Sequence, residues 1–119
     1  MQRKIENTEL LDTIRILKIK ARKSESAIWT TVANQLARPR RHRAVLNLGH
    51  ITRSTQQGAV VLVPGKVLGA GAIKHSVTVG AFEFSQEAQN KIKRAGGRCV
   101  TIKEFIELYP NGSNVKLMR

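Results

Sequence analysis

The chain has 119 residues, with 21 Lys and Arg against 8 Asp and Glu, which gives a formal net charge of +13. This length fits one domain and is too short for two well-packed ones. Apolar residues make up 41% of the chain, which excludes a disordered composition. Aromatic residues are only 4%, which argues against a single-strand binder that stacks successive bases on aromatic side chains.

Cysteine content and the pattern of apolar residues indicate a compartment. Cys99 is the only cysteine, so an internal disulfide is excluded and a reducing environment is favoured. No apolar run approaches the roughly 18–20 residues that span a bilayer. The basic start of the chain is not followed by the apolar segment of a secretion signal. We therefore expect a cytoplasmic protein without a membrane partner.

The first helix is predicted to begin at Asn7 or Thr8, either of which is a suitable N-cap. Apolar residues then recur at helical spacing, at Leu10, Ile14, Leu17 and Ala21. Ser24 or Ser26 is predicted to open a second helix, with Trp29 as a core anchor. This helix should stop at Arg38, because the residue before a proline is pushed out of the helical region.

The pattern then changes from helix to strand. A third helix is predicted over residues 46–57, followed by Gly58 as its C′ residue. Two short strands are predicted at residues 60–63 and 66–68, separated by a Pro64-Gly65 turn.

The last third of the chain alternates strands with helices. A strand is predicted over residues 75–81, followed by a helix capped by Ser85 and a strand at residues 99–102. These elements form a crossover unit, parallel and right-handed if both strands share a sheet. Thr101 and Glu104 fit a capping box that opens a last helix. The tail from Asn111 is polar and is expected to be partly ordered.

Basic residues are distributed unevenly along the chain. No acidic residue lies between Glu25 and Glu83, and this stretch carries Arg38, Arg40, Arg41, Arg43, Arg53, Lys66 and Lys74. A field of one sign does not stabilise a fold, because like charges repel in the compact state. We therefore expect a polyanionic partner, and nucleic acid is the first candidate.

The sequence Arg-Pro-Arg-Arg-His-Arg occupies residues 38–43, in the connection between the predicted second and third helices. Pro39 fixes one backbone dihedral, so the guanidinium groups project from a constrained segment. A guanidinium fork can bond phosphate oxygens bidentately and is desolvated more readily than an ammonium. The alternative is a solvated loop, but the lack of acidic residues nearby in the sequence favours phosphate contact.

Two further groups of basic residues remain open to more than one interpretation. Lys66, Lys74 and His75 flank the glycine-rich residues 65–71, which fit either an RNA-contacting loop or a plain turn. The Walker and dinucleotide-binding patterns are absent there. A second group, Lys91, Lys93 and Arg94, lies opposite the apolar face of its predicted helix and faces either solvent or RNA.

Catalytic and metal sites are not indicated. His42, His50 and His75 lack the spacing of metal ligands, and a structural zinc site needs four ligands. No set of carboxylates or other titratable residues converges for acid–base catalysis. We therefore expect no enzyme activity, no cofactor and no small-molecule substrate.

Several segments resemble the archaeal and eukaryotic type of large-subunit ribosomal protein eighteen. They are Asn-Thr-Glu-Leu (7–10), Ile-Trp (28–29), Arg-Pro-Arg-Arg-His-Arg-Ala-Val-Leu-Asn-Leu (38–48), Val-Pro-Gly-Lys-Val-Leu-Gly (63–69), Phe-Ser-Gln-Glu-Ala (84–88) and Ala-Gly-Gly (95–97). The C-terminal half is also similar to ribosomal protein fifteen. The chain departs from the family pattern at Val45, Gly49 and His50, where more charge is expected, and at residues 71–73, where the loop tip is expected to be acidic or polar.

This resemblance implies an α/β fold, with N-terminal helices followed by an irregular, layered strand-helix-strand domain. We expect residues 1–119 to form one domain, divided into a mainly helical half (1–58), an α/β half (59–110) and a polar tail (111–119).

The resemblance also implies a structural constituent of the large ribosomal subunit, with ribosomal RNA and neighbouring ribosomal proteins as partners. The expected RNA-binding residues are Arg38, Arg40, Arg41, His42, Arg43, Arg53, Lys66, Lys74 and His75. Composition leaves two rivals. One is a free nucleic-acid-binding protein, such as a chromatin protein or RNA chaperone, and the other is a small α/β enzyme acting on a phosphorylated substrate.

Overall fold

A computed structural model of the protein describes the backbone of residues 2–119 and the side chains from Thr8 onward. The helices are α1 (Gln2–Lys23), α2 (Ile28–Leu36), α3 (Leu48–Arg53), α4 (Gln86–Arg94) and α5 (Ile102–Leu108), with a 3-10 turn at Arg40–His42. The strands are β1 (Ala44–Asn47), β2 (Ala59–Leu68), β3 (Val77–Phe84), β4 (Arg98–Thr101) and β5 (Val115–Leu117). None of the helices described is long and apolar enough to cross a membrane.

The five strands form one sheet in which every pairing is parallel. The strand order is β1-β2-β3-β4, and β5 also pairs with β2. Residues 60–62 of β2 pair with β5 and residues 65–68 pair with β1, so these two strands lie one after the other along the same edge of β2. Parallel sheets need cover on both faces, and the helices provide it.

Each face of the sheet has its own hydrophobic core. Helices α1, α2 and α5 cover one face, where Trp29, Phe105 and Leu62 are fully buried. Helices α3 and α4 cover the other face, where Ile51 and Ile92 are fully buried. The predicted α/β fold with N-terminal helices is therefore confirmed, and β2 is buried from both sides.

Trp29 is the core anchor that the sequence predicts. Its Nε1 donates a hydrogen bond to the carbonyl oxygen of Pro110 at 3.1 Å. Its ring meets that of Phe105 edge-on, with the centroids 6.4 Å apart. Phe105 in turn covers Gly80 in β3, where an added Cβ would lie 2.3 Å from Phe105 Cδ2. Gly80 thus permits the close approach of α5 to the sheet.

The predicted crossover unit is confirmed in its element order and parallel pairing. Ser85 Oγ accepts a hydrogen bond from the Ala88 amide at 3.1 Å and caps α4. Strand β4 pairs with β3 in parallel, although β3 begins at Val77 and not at residue 75. Thr101 and Glu104 form the predicted capping box of α5, with the Glu104 amide donating to Thr101 Oγ1 at 3.2 Å.

The predicted start of the first helix is wrong. Helix α1 begins at Gln2, so Asn7 and Thr8 lie inside it. Its first residues, Gln-Arg-Lys-Ile-Glu, include several good helix formers, and this propensity outweighs the capping preference of Asn and Thr. The second helix ends at Leu36, two residues before the predicted stop at Arg38, and Pro39 follows.

The predicted third helix over residues 46–57 is also wrong. Residues 44–47 form the strand β1, and only residues 48–53 are helical. The apolar residues in this segment fit either period, because Leu46 in the strand and Leu48 and Ile51 in the helix enter the same core. Pairing with β2, remote in sequence, determines that the segment begins as a strand.

Pro64 and Gly65 do not form the predicted turn. They lie within the continuous strand β2, at the point where its register with β3 shifts. Proline cannot donate a hydrogen bond to a neighbouring strand. Pro64 falls between the residues that pair with β5 and those that pair with β1, so no ladder bond is lost there. A Cβ at residue 65 would lie 2.0 Å from the carbonyl oxygen of Ala44, which explains why this position is a glycine.

The C-terminal tail is more ordered than the sequence indicates. Residues 115–117 form β5, and the Met118 amide donates a hydrogen bond to the carbonyl oxygen of Leu62 at 3.0 Å. The Met118 side chain is buried in the core that α3 and α4 cover. A polar composition did not reveal this strand, because only two apolar residues, Val115 and Leu117, alternate within it.

Candidate nucleic-acid interface

The arginine turn, residues 38–43, lies on the surface between α2 and β1. Residues 40–42 make one 3-10 turn, closed by the His42 amide donating to the Pro39 carbonyl oxygen at 2.8 Å. Arg43 Nε donates to the carbonyl oxygen of Arg38 at 3.1 Å and ties the two ends of the turn together. The side chains of Arg38, Arg40, Arg41 and His42 are exposed, and Arg43 is half-buried. The turn is therefore a constrained cationic projection, as the sequence predicts.

The fold brings Lys66 to this turn. Strand β1 follows the turn directly and pairs Val45 with Lys66. Arg40, Arg43 and Lys66 consequently line one surface cavity, together with Ala44, Val45, Gly65, Phe82 and Glu83. Two of the predicted regions, more than twenty residues apart in the chain, thus share one surface.

Glu83 adds a carboxylate to the same cavity. It lies in β3 and is paired with Lys66 of β2 in the sheet register. The stretch between Glu25 and Glu83 lacks acidic residues in the sequence, but the folded surface around Lys66 does not. The expectation of an entirely uncompensated field is therefore wrong at this position, although cations still outnumber the carboxylate there.

Arg53 borders a second cavity, next to the first. This cavity is lined by Val45, Leu46, Asn47, Gly49, His50, Arg53, Ala70 and Gly71. Val45 lines both cavities, so the arginine turn, Lys66 and Arg53 follow one another along a continuous surface. We call the surface formed by Arg40, Arg43, Val45, Arg53 and Lys66 the basic surface.

No hydrogen bond or ion pair in the described part of the chain joins Lys74 or His75 to the residues of this surface. Both lie near the end of the β2–β3 loop (residues 69–76), and neither lines the two cavities above. His75 Nε2 is 2.9 Å from Thr55 Oγ1, and the His75 side chain is half-buried. This contact fastens the end of the loop to the segment after α3, whereas Lys74 is exposed.

Lys91 has a role that the sequence does not reveal. Its Nζ donates hydrogen bonds to the carbonyl oxygens of Gly69, at 2.7 Å, and of Gly71, at 3.0 Å. These glycines lie at least twenty residues away, and only the β3-α4-β4 crossover brings them close. Neighbouring Lys93 and Arg94 are exposed, and Arg94 lines a cavity with residues 71–73.

The geometry of the remaining titratable groups does not indicate catalysis. Within the described part of the chain, no group of three or more His, Cys, Asp or Glu residues could hold a metal ion. Burial raises the pKa of the Cys99 thiol, with Lys93 opposing this shift, so the reactive thiolate is disfavoured. The cations of the basic surface, by contrast, suit electrostatic contact with a polyanion.

The chain is similar to known proteins along its whole length. The model of a protein family described as "Ribosomal protein 60S L18 and 50S L18e" matches residues 1–119. A relative named large ribosomal subunit protein eL18, from Methanothermobacter thermautotrophicus, is 45% identical over 99% of both chains. Relatives of the same name from Methanococcus maripaludis (44% identical, covering 94% of this chain and 93% of the relative) and Archaeoglobus fulgidus (42% identical, covering 94% and 96%) are also similar along nearly their whole length.

Proposed function

Because the chain belongs to the family of ribosomal proteins 60S L18 and 50S L18e, we propose that it is a structural constituent of the large ribosomal subunit and that it binds ribosomal RNA there. The family is one of structural proteins of the cytoplasmic ribosome, in agreement with the expectation that the chain is not an enzyme. Neighbouring proteins of the large subunit are the second class of partner that we propose.

The observation that carries the RNA-binding part of this proposal is the convergence of cations on the basic surface. Arg40, Arg43 and Lys66 line one cavity, and Arg53 lines the next. Each of these cations can neutralise a phosphate and release a counterion, which makes binding favourable and sensitive to salt. The contacts are to the sugar-phosphate backbone, so they orient the protein and select the shape of the RNA more than its base sequence.

The rigidity of the basic surface also supports this function. The arginine turn is closed at both ends by backbone acceptors, and β1 fixes it against β2. A preorganised set of donors loses less conformational entropy on binding than a flexible tail does. The exposed guanidinium groups of Arg38 and Arg41 extend the same turn toward the partner.

Salt dependence of binding tests this proposal. We expect the wild-type chain to bind an in vitro transcript of archaeal large-subunit ribosomal RNA, with log Kobs falling linearly as log salt rises. Replacing Arg40, Arg41 and Arg43 by Gln should make this slope shallower by about 2–3, since each lost phosphate contact contributes roughly 0.7–0.9.

A matched control removes three cations from elsewhere. Lys93, Arg98 and Arg119 are exposed and border neither cavity of the basic surface. The variant with Gln at these three positions has the same net charge as the arginine-turn variant, and its slope should change by less than about 1. Equal slopes in the two variants would show that net charge alone, and not the arginine turn, determines binding.

A further inference from the structure

Three successive carbonyl groups of the β2–β3 loop are held by the rest of the protein. Lys91 Nζ binds the carbonyl oxygens of Gly69 and Gly71, and the Gly49 amide donates to the carbonyl oxygen of Ala70 at 3.0 Å. The loop therefore turns these acceptors toward α3 and α4.

Five of the backbone amides in the same loop have no acceptor in the described part of the chain, whereas the Ser76 amide donates to Gln57 Oε1 at 3.1 Å. From Ala70 to Lys74, no amide donates a hydrogen bond to another residue in the described part of the chain. Ala70, Gly71 and Ala72 are exposed. Five consecutive donors on an exposed loop are able to bind an anion, as backbone amides do in phosphate-binding loops.

Contact with α3 holds the tip of the loop in place. The Cα of Gly71 packs so closely on Gly49 that a Cβ at residue 71 would lie 2.6 Å from the Gly49 Cα. Gly71 also has a φ of +92°, a backbone conformation that residues with a side chain rarely adopt. Both observations favour glycine at this position, where the family pattern is expected to place an acidic or polar residue. The glycine allows the loop to pack closely against α3.

Cations stand on both sides of this loop. Arg53 lines the cavity on one side of Gly71, and Arg94 lines the cavity on the other. Glu87 introduces one carboxylate, since its side chain lies over Gly69. The rim near Gly71 is cationic.

We propose that residues 70–74, with Arg53 and Arg94, form a cradle for a phosphodiester group of RNA, and that Lys91 is the positioning residue that holds this loop in its binding shape. The inference rests on the proposed function, because it assigns a second RNA contact to the same protein. Lys91 itself does not touch the phosphate. Two of the three N–H donors of its ammonium group bind the carbonyl oxygens of Gly69 and Gly71.

The test compares Lys91→Met with Lys93→Met, which removes an exposed lysine from the same helix. Binding of the large-subunit ribosomal RNA transcript is measured between 50 and 200 mM salt, and amide hydrogen exchange is followed with and without RNA. In the wild type and in Lys93→Met, RNA should protect the amides of residues 70–74. In Lys91→Met, we expect this protection to be lost and affinity to fall by roughly 3–10-fold, as for the loss of one hydrogen bond of ordinary net strength, with the salt slope unchanged.

A slope reduced by roughly 0.7–0.9 in Lys91→Met would overturn the inference, because Lys91 would then be a phosphate contact. Unprotected loop amides in the RNA complex of the wild type would also overturn it, while leaving the proposed function intact. Failure of the wild type to bind the transcript would instead contradict the proposed function.

A second pair of variants keeps the test decisive if Lys91→Met does not fold. Arg53→Gln and Arg94→Gln alter exposed side chains and leave the loop contacts in place. Each should reduce the salt slope by roughly 0.7–0.9 and weaken the protection of residues 70–74. If neither variant changes the slope or the protection, the cradle does not exist.

Discussion

Lys103 of α5 lies between two carboxylates of α1, with its Nζ 3.0 Å from Glu9 Oε1 and 2.7 Å from Asp12 Oδ2. Arg15 Nη2 donates to Asp12 Oδ1 at 2.7 Å. These contacts lower the pKa of Asp12 below its ordinary value, the hydrogen bond from Lys103 being the largest cause and that from Arg15 the next. The hydrogen bond to Asp12 is likewise the largest cause that raises the pKa of Lys103. The group is exposed, so its contribution to stability is small.

The order of these causes gives a prediction for the carboxyl pKa of Asp12. Replacing Lys103 by Met should raise this pKa toward the ordinary value of 3.8, and replacing Arg15 by Gln should raise it by less. The measurement is an NMR titration of the Asp12 carboxyl carbon. A larger rise in Arg15→Gln than in Lys103→Met would contradict the geometry between α1 and α5.

The pH dependence of stability follows from the directions of these shifts. Because the folded pKa of Asp12 lies below its unfolded value, its contribution is full above about pH 3.8 and is lost as the pH falls through the folded pKa. The raised pKa of Lys103 affects stability at high pH instead. Its contribution is full below about pH 10.5 and is lost as the pH rises through the folded pKa.

At the scale of elements, the contact between α5 and β3 depends on the absence of a side chain at Gly80. Phe105 is fully buried and its ring carbons occupy the space that a Cβ on Gly80 would need. Trp29 and Tyr109 flank the same ring, with centroids 6.4 Å and 4.8 Å from that of Phe105. The ring therefore has little freedom to move away.

Replacing Gly80 by Ala should lower the free energy of unfolding by about 1–3 kcal/mol, as overpacking of a core does. The measurement is urea denaturation followed by far-UV circular dichroism. Phe105→Leu provides the matched background, because the smaller side chain leaves room for the new methyl group. In that background the cost of Gly80→Ala should fall by about 1 kcal/mol or more. An equal cost in both backgrounds would refute the close contact.

The elements also show which parts of the fold can be predicted from sequence. Caps at Ser85 and Thr101 are local, since each partner lies three residues away, and both predictions hold. Strand β1 and the continuous strand β2 depend on pairings between remote residues, and local patterns misassigned both. A proline that normally ends a strand is tolerated in β2 because two different neighbours pair on either side of it.

The candidate site likewise has parts that the sequence predicts and parts that depend on contacts between remote residues. The arginine turn is visible in the sequence as one contiguous run, and its position on the surface agrees with that prediction. Its proximity to Lys66 requires the register of β1 on β2, which the sequence does not state. The carboxylate of Glu83 and the loop contacts of Lys91 are non-local as well, so charge counting could not find them.

At the scale of the whole molecule, we propose that residues 1–119 form one cooperative domain. The two cores lie on opposite faces of a single sheet, and β2 contributes Leu62 to one core and Val61 and Val63 to the other. Strands from the N-terminal half and from the C-terminal tail both pair with β2. Neither core can therefore be lost without exposing the other.

Two natural probes test this cooperativity. Trp29 lies in the core under α1, α2 and α5, and Cys99 packs against the core under α3 and α4. We expect Trp29 fluorescence and the reactivity of the Cys99 thiol to change at the same urea concentration, as two-state unfolding requires. Separate midpoints for the two probes would show that the two faces of the sheet unfold independently.

The central claim of large-subunit membership is tested most directly by sedimentation. For this test the chain is given an affinity tag and is produced in Methanococcus maripaludis, which has a relative 44% identical to it. The tagged chain is then followed through high-salt sucrose gradients. We predict that the chain sediments with the large ribosomal subunit and stays there at salt concentrations that remove loosely bound proteins. Recovery only in the free or DNA-bound fractions would contradict this account and favour a free nucleic-acid-binding protein.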